Sequence, residues 1–188
     1  SAVKTKSVSS IRFTKSGGLL IGGTDGRIRS WDKVSTNNIR EITSDDIYHH
    51  GKITDLKFSP DGLRLLSIAD DGVVITNIAN PSTPVKVTGP IKGTFLDVSW
   101  KNNLMAVQTI TGGVDLINTQ DGKRLKSFSS ARSFAFSSNE QYLALSNGDT
   151  VDIYGIGIVN GKPTFTQIGE RINLNLDDRA DEVLLVFS

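Results

Sequence analysis

The residues with the most evident capacity for chemistry are two adjacent histidines and a pair of aspartates. His49 and His50 are the only histidines in the chain. Adjacent side chains on an extended strand point to opposite faces, so this pair is poorly placed to ligate one metal ion together. Asp70 and Asp71 could act as paired carboxylates or bind Ca²⁺. Because Gly72 follows them, we expect both to be turn residues that bond backbone amides.

Other motifs that carry chemistry are missing from the sequence. The pairs Gly17-Gly18, Gly22-Gly23 and Gly112-Gly113 precede no predicted helix, and a dinucleotide or phosphate site of that type needs a helix N-terminus. The sequence has no P-loop, no zinc-ligand spacing and no Ser–His–Asp nucleophile pattern. It also contains no cysteine. We therefore predict no catalytic residue, no metal and no cofactor.

Charge and hydropathy narrow the classes of partner. The 21 basic residues balance the 20 acidic ones, which gives a net charge of +1. Proteins that neutralise many phosphates usually show a strong basic bias, and the richest basic cluster here, Lys123-Arg-Leu-Lys126, is short. No apolar run of about 18 residues occurs, so no transmembrane helix is predicted. The lack of cysteine suits an intracellular location, cytoplasmic or nuclear.

Four similar segments recur along the chain. An aromatic residue at the end of an alternating apolar stretch marks each one, at Phe13, Phe58, Trp100 and Phe136. The marks are 45, 42 and 36 residues apart, and a four-stranded propeller blade takes about 40–45 residues. The repeat therefore predicts an all-β fold made of successive blades.

The second repeat shows the four strands most clearly. Turn chemistry separates them at Ser59-Pro-Asp-Gly62 and Asp70-Asp-Gly72, where proline pre-sets φ and glycine accepts positive φ. Before the first break, Leu56 and Phe58 alternate with Asp55 and Lys57, as in a half-buried strand. The predicted strands are Ile53–Phe58, Arg64–Ile68, Val73–Ile78 and Val85–Thr88.

These residues resemble the WD40 repeat family. The strongest likeness lies in Phe58-Ser-Pro-Asp-Gly62, in Asp70-Asp-Gly72 and in the dipeptide Trp31-Asp32. The resemblance covers roughly Val8 to Tyr154. It implies a WD40-type β-propeller of about four four-stranded blades, in a partial or open ring.

The resemblance also implies a hydrogen-bonded brace within a blade. In the family, a His before the first strand, a Ser or Thr on the second, an Asp in the next turn and a Trp on the third form this brace. Carried over residue by residue, the second repeat supplies His49, Ser67 and Asp70, with Asn77 at the Trp position. The first repeat supplies Asp25 and Trp31 but no His.

The repeats predict a single domain over residues 1–188. The blades are expected at about 8–45, 50–90, 94–129 and 131–170, and residues 183–188 resemble the first strand of a further blade. A blade buries its faces only against its neighbours. We therefore expect the remaining blades to come from the same protein or from another chain.

The expected function is that of a non-catalytic scaffold that binds other protein subunits, within a multi-protein intracellular assembly. The alternatives are a propeller that binds phospholipid or nucleic acid and, with less support, a propeller enzyme. In the family, the connections into first strands share one face with the turns between second and third strands. The residues predicted on that partner-binding face are Tyr48, His50, Lys52, Asp71, Thr94, Arg132 and Asp149.

Overall fold

The computed structural model describes residues 7–31, 39–41, 49–78, 84–88 and 91–174. Within these ranges every regular element is a β-strand, as the sequence predicts. Consecutive strands are neighbours in each of four sheets, which we call blades 1 to 4. The chain divides into two compact units, residues 1–94 and 95–188. That the whole chain forms one domain stays a prediction.

The strands lie close to the predicted blade limits. Blade 1 contains β1 (Val8–Phe13), β2 (Leu19–Gly23), β3 (Ile28–Trp31) and β4 (Ile39–Glu41). Blade 2 contains β5 (Ile53–Phe58), β6 (Arg64–Ala69), β7 (Gly72–Asn77) and β8 (Val85–Thr88). Blade 3 contains β9 (Ile91–Ser99), β10 (Leu104–Thr109), β11 (Val114–Asn118) and β12 (Arg124–Phe128). Blade 4 contains β13 (Ser133–Phe136), β14 (Tyr142–Ser146), β15 (Thr150–Val159) and β16 (Lys162–Gln167), and β17 (Ile172–Asn173) also pairs with β15.

The core of unit 1 lies between the facing sides of blades 1 and 2. Its buried members are Leu20 and Ile28 from blade 1, with Ile53, Leu56 and Leu65 from blade 2. The two sheets approach so closely that a Cβ on Gly22 would lie 2.7 Å from the Ile53 side chain. Apolar burial of this kind is the main stabilising contribution to a blade pair.

The core of unit 2 repeats this arrangement between blades 3 and 4. Blade 3 supplies Leu104, Ala106, Val114 and Leu116, Ala131 lies in the connection, and blade 4 supplies Phe136, Leu143 and Leu145. Polar contacts join the same two blades. The Phe136 amide donates to the Asp97 carboxylate at 2.9 Å. The Glu140 carboxylate accepts from the Ser99 hydroxyl at 2.8 Å.

Blade 4 carries a long hairpin. The resemblance to the repeat ends at about Tyr154, but β15 continues to Val159 and pairs with β16 along its extension. The turn residues Asn160 and Gly161 both have positive φ, +50° and +73°, as type I′ hairpins require. The predicted further strand at 183–188 lies outside the described residues.

Candidate functional site

In unit 1, the β2–β3 turn of blade 1 lies against the connection that leads into blade 2. The His49 amide donates to the Gly26 carbonyl at 3.0 Å. Gly26 has a φ of +77°, and a Cβ there would lie 1.9 Å from the His49 carbonyl oxygen. Glycine is therefore needed at this position both for its backbone angle and for its size.

Unit 2 places the corresponding segments together in the same way. The Gln108 side chain at the end of β10 donates to the Arg132 carbonyl at 2.8 Å. The Arg132 amide donates to the Ser146 carbonyl at the end of β14, at 2.6 Å. Within each unit, the connection into a first strand thus meets turns between second and third strands. We call this part the turn end of a unit; it comprises residues 24–26, 49–52 and 70–71 in unit 1, and 110–113, 129–132 and 147–149 in unit 2.

His49 is the centre of a buried polar cluster at the turn end of unit 1. Its side chain is 2% exposed. Nδ1 lies 2.7 Å from the Asp71 carboxylate and Nε2 lies 2.9 Å from the Ser67 hydroxyl. Because an ionised carboxylate only accepts, Nδ1 carries the proton of that bond. The second Asp71 oxygen accepts from the His50 amide at 2.7 Å.

The predicted brace was wrong about which aspartate contacts His49. Asp70 was expected there, but Asp71 takes the position and Asp70 is exposed. Ala69 pairs with Gly72, so the two aspartates form a two-residue hairpin turn in which only the second carboxylate turns back to the His49 ring. His49 and Ser67 are together as predicted, and Asn77, at the Trp position of the family, is exposed.

The Asp71 carboxylate is held in its ionised form by its neighbours. Burial by itself raises the pKa of Asp71, but the His50 amide and the His49 ring together lower it, and the net result is a pKa below the ordinary value. A carboxylate that accepts several hydrogen bonds is stabilised in its charged state.

The contacts run from the Asp71 carboxylate to the His49 ring and on to the Ser67 hydroxyl, as in a nucleophilic triad. The sequence spacing did not suggest this arrangement. A triad needs a serine oxygen that can reach a substrate carbonyl. Ser67 is 1% exposed, and its hydroxyl also lies 3.3 Å from the Val74 carbonyl inside the sheet. The geometry therefore supports a structural brace between the connection and blade 2 rather than a hydrolytic site.

Blade 1 has an ion pair where the prediction placed a brace of Asp25 and Trp31. The Asp25 carboxylate lies 2.7 Å from the Arg29 guanidinium and also accepts from the Arg27 amide at 3.3 Å. Arg29 lowers the pKa of Asp25, against the effect of burial. Trp31 is half-buried at the end of β3, and it pairs along the sheet with Leu19 and Ile39. Asp25 thus binds a residue of its own hairpin and not Trp31.

The predicted partner-binding residues fall into several groups. His50 and Lys52 are exposed at the turn end of unit 1, whereas Asp71 belongs to the brace. Arg132 and Asp149 are exposed at the turn end of unit 2. Tyr48 lies outside the described residues, and Thr94 lies in β9 where only the backbone is described. That these residues bind a partner stays a prediction.

The sequence reading missed an exposed apolar residue in unit 2. Ile110, in the β10–β11 turn beside Gln108, is 64% exposed. The sequence did carry a signal for this exposed apolar residue: an isoleucine stands between threonines in a glycine-containing turn, where small polar residues are usual. Ile110 and Arg132 therefore give this turn end one apolar and one basic side chain on hydrogen-bonded loops.

Two further findings concern ligands and membranes. In the part of the chain that the structure describes, no group of three or more His, Asp or Glu side chains is placed to hold a metal ion. No helix of the described residues has the length and apolar character needed to cross a membrane.

Comparisons with known proteins agree with this architecture. Residues 3–32 and 42–75 match the family model WD40, described as WD domain, G-beta repeat. A search of curated protein sequences gives no match. Among solved structures, the computationally designed Ika4 protein has a TM-score of 0.54 and 21% identity, over 83% of this chain and 95% of Ika4.

Two other solved structures are similar over most of this chain. The computationally designed Ika8 protein has a TM-score of 0.54 and 20% identity, over 80% of this chain and 46% of Ika8. The β-propeller domain of Cps50 (Swd1) from Myceliophteria thermophila has a TM-score of 0.59 and 17% identity, over 90% of this chain and 58% of that domain's chain. The chain thus spans about half the length of these two relatives. At such identities the likeness concerns the fold.

The four sheets and their short turns place the described part of the chain in the all-β class of β-propeller proteins. Within that class, residues 3–32 and 42–75 match the WD40 repeat, and the predicted resemblance to that family is confirmed over these residues.

Proposed function

We propose that this chain is a non-catalytic scaffold that binds protein partners through its turn ends, as a subunit of a multi-protein intracellular assembly. WD40 propellers generally serve as platforms for protein interaction, and the serine of the triad-like cluster around His49 is buried. A rigid set of sheets that holds short loops suits recognition, because little conformational entropy is lost when such loops bind.

The observation that carries the proposal is the pair Ile110 and Arg132 at the turn end of unit 2. Ile110 is exposed in the four-residue turn between β10 and β11. Arg132 is exposed in the connection whose backbone accepts a hydrogen bond from Gln108. An exposed apolar side chain and an arginine on neighbouring loops, with polar groups around them, resemble the composition of protein interfaces, in which arginine is enriched. The Thr109–Gly113 backbone bond of 3.1 Å fixes this turn in place.

Substitution of Ile110 by aspartate is expected to reduce partner recovery at least about fivefold, as loss of a moderate hot spot would. The measurement is quantitative mass spectrometry of proteins that co-purify with the tagged chain. Leu63→Asp is the matched control, because Leu63 is equally apolar and exposed but lies in the β5–β6 turn, away from the turn end. Equal loss in both variants, or in neither, contradicts a partner surface at Ile110.

A second part of the proposal concerns a further blade, from the same protein or another chain, that covers β1. Leu56 and Phe58 of β5 pack on blade 1 within the core of unit 1. Ile11 and Phe13 hold the same positions in β1, since Phe13 pairs with Leu19 as Phe58 pairs with Leu65. Phe13 is 73% exposed and Ile11 is 48% exposed. Side chains that another blade covers in blade 2 are thus open to solvent in blade 1.

The exposed face of β1, formed by Ile11 and Phe13, is expected to make the isolated 188-residue chain self-associate, because exposed apolar patches drive association. Sedimentation velocity over a range of concentrations should show this, and Phe13→Glu should abolish it. Leu63→Glu, an exposed site outside the patch, should leave it unchanged. A chain that stays monomeric at high concentration with Phe13 intact contradicts this part of the proposal.

A further inference from the structure

Three aromatic rings in unit 2 surround one ammonium group. The Lys126 Nζ lies 4.9 Å from the centre of the Phe128 ring, 5.3 Å from that of Tyr154 and 6.0 Å from that of Phe165. The Phe128 and Tyr154 ring centres are 5.3 Å apart with their planes inclined at 55°. We call Phe128, Tyr154 and Phe165 the aromatic cage. Rings within about 6 Å of a cation attract it through their negatively charged faces.

Strand geometry places the rings on one surface. Lys126 and Phe128 are two residues apart on β12, so they share a face. On blade 4, Tyr154 and Ile156 share a face of β15, and Phe165 is the cross-strand partner of Ile156. All three rings are partly buried and pack on the core of unit 2. The cage is therefore a fixed feature of two packed blades and not a chance meeting of mobile side chains.

The occupant of the cage is held by ring faces alone. Lys126 is exposed, and among the described side chains no carboxylate forms an ion pair with it. The nearby Asp152 is paired with Arg171 at 2.7 Å. A primary ammonium gives up hydrogen bonds from its N–H donors to water when it moves against aromatic faces, whereas a trimethylated ammonium has no N–H donor to desolvate. A cage of this composition therefore suits the methylated form of a cation better than the free form.

We propose that the aromatic cage is a binding site for a trimethylated lysine side chain of a partner protein, and that Lys126 is its internal competitor. The cage already accommodates the four-carbon stem and ammonium of a lysine, so a lysine from another chain matches it in length and charge. Lys126 must leave before such a ligand enters. This site is separate from the turn ends, so its failure would leave the scaffold proposal standing.

The test is a titration of the 188-residue chain with a short peptide that carries one trimethyl-lysine, followed by NMR shifts of the aromatic ring protons. Lys126→Ala is expected to bind the peptide about two- to fivefold more tightly than the unaltered chain, because the competitor is gone. Phe165→Leu, checked for folding by circular dichroism, is expected to weaken binding about threefold. Ser127→Ala is the matched control and should bind as the unaltered chain does, because Ser127 lies between Lys126 and Phe128 in the regularly paired part of β12 and so faces the other side of the sheet.

Three ligand controls decide the outcome. A peptide with norleucine in place of trimethyl-lysine tests whether charge is needed, and a peptide with unmodified lysine tests whether methylation is needed. Vesicles of phosphatidylcholine present the same quaternary ammonium on a lipid. Equal binding of the norleucine or unmodified peptide, no gain in Lys126→Ala, or binding of the vesicles without the peptide would each overturn the proposal.

Discussion

Replacing Gly26 by alanine is expected to destabilise unit 1 by about 3–5 kcal/mol. The new Cβ would lie 1.9 Å from the His49 carbonyl oxygen and 2.9 Å from the Gly51 carbonyl oxygen, and both are backbone atoms. No side-chain rotation relieves this overlap, so the connection at 49–51 must move. That movement breaks the bond from the His49 amide to the Gly26 carbonyl and displaces the His49 ring from Asp71.

The natural control for this substitution is Gly62→Ala in the same unit. Gly62 has a φ of +75°, nearly that of Gly26, but a Cβ there would meet its nearest neighbour, Lys15, at 3.9 Å. Gly62→Ala therefore carries the cost of a positive φ, about 1–2 kcal/mol, without the collision. Urea unfolding followed by Trp31 fluorescence, in a Trp100→Phe background, reports on unit 1. If the two variants unfold at the same urea concentration, the turn is not packed against His49.

The strands of the second repeat were predictable because strong local turn signals mark their ends. The first and last predicted strands agree with β5 and β8. The second ends one residue before β6 does, and the third begins and ends one residue after β7 does. Pro60 and Gly62 limit the backbone of the first turn, and Gly72 that of the second, before any tertiary contact forms. The resemblance was followed only to Tyr154, although Asn160-Gly161 marks the hairpin turn before which β15 ends at Val159.

Local signals do not determine whether Asp70 or Asp71 contacts His49, because the contact joins residues 22 positions apart in the chain. One sequence signal was available. In both repeats an aspartate directly precedes the turn glycine, at Asp25-Gly26 and Asp71-Gly72. Alignment on those glycines would have selected Asp71. The aromatic cage left no such signal, since β12, β15 and β16 contribute one ring each and only the packing of blade 4 on blade 3 brings them together.

Truncation of His49 to alanine is expected to cost about 3–4 kcal/mol, a large fraction of the stability of a small unit. The substitution removes the ring nitrogens that bond the Ser67 hydroxyl and the Asp71 carboxylate. It also opens a cavity, because the His49 side chain is only 2% exposed. Asp71→Asn tests the same contact more mildly. A double-mutant cycle between these two positions in urea unfolding should give a coupling energy of about 1 kcal/mol or more. Additive effects would contradict a direct brace.

The Asp71 contact also predicts how stability depends on pH. Folding holds the pKa of Asp71 below its ordinary value of about 3.9. The folded chain therefore binds this proton less readily than the unfolded chain, and the contribution of the contact is complete above that ordinary value. It is lost as the pH falls through the lower pKa of the folded state. The difference in stability between the unaltered chain and Asp71→Asn should accordingly be constant above a pH of about 4 and shrink as the pH falls below it. A difference that stays the same through this acid range would show that the carboxylate does not stabilise the fold.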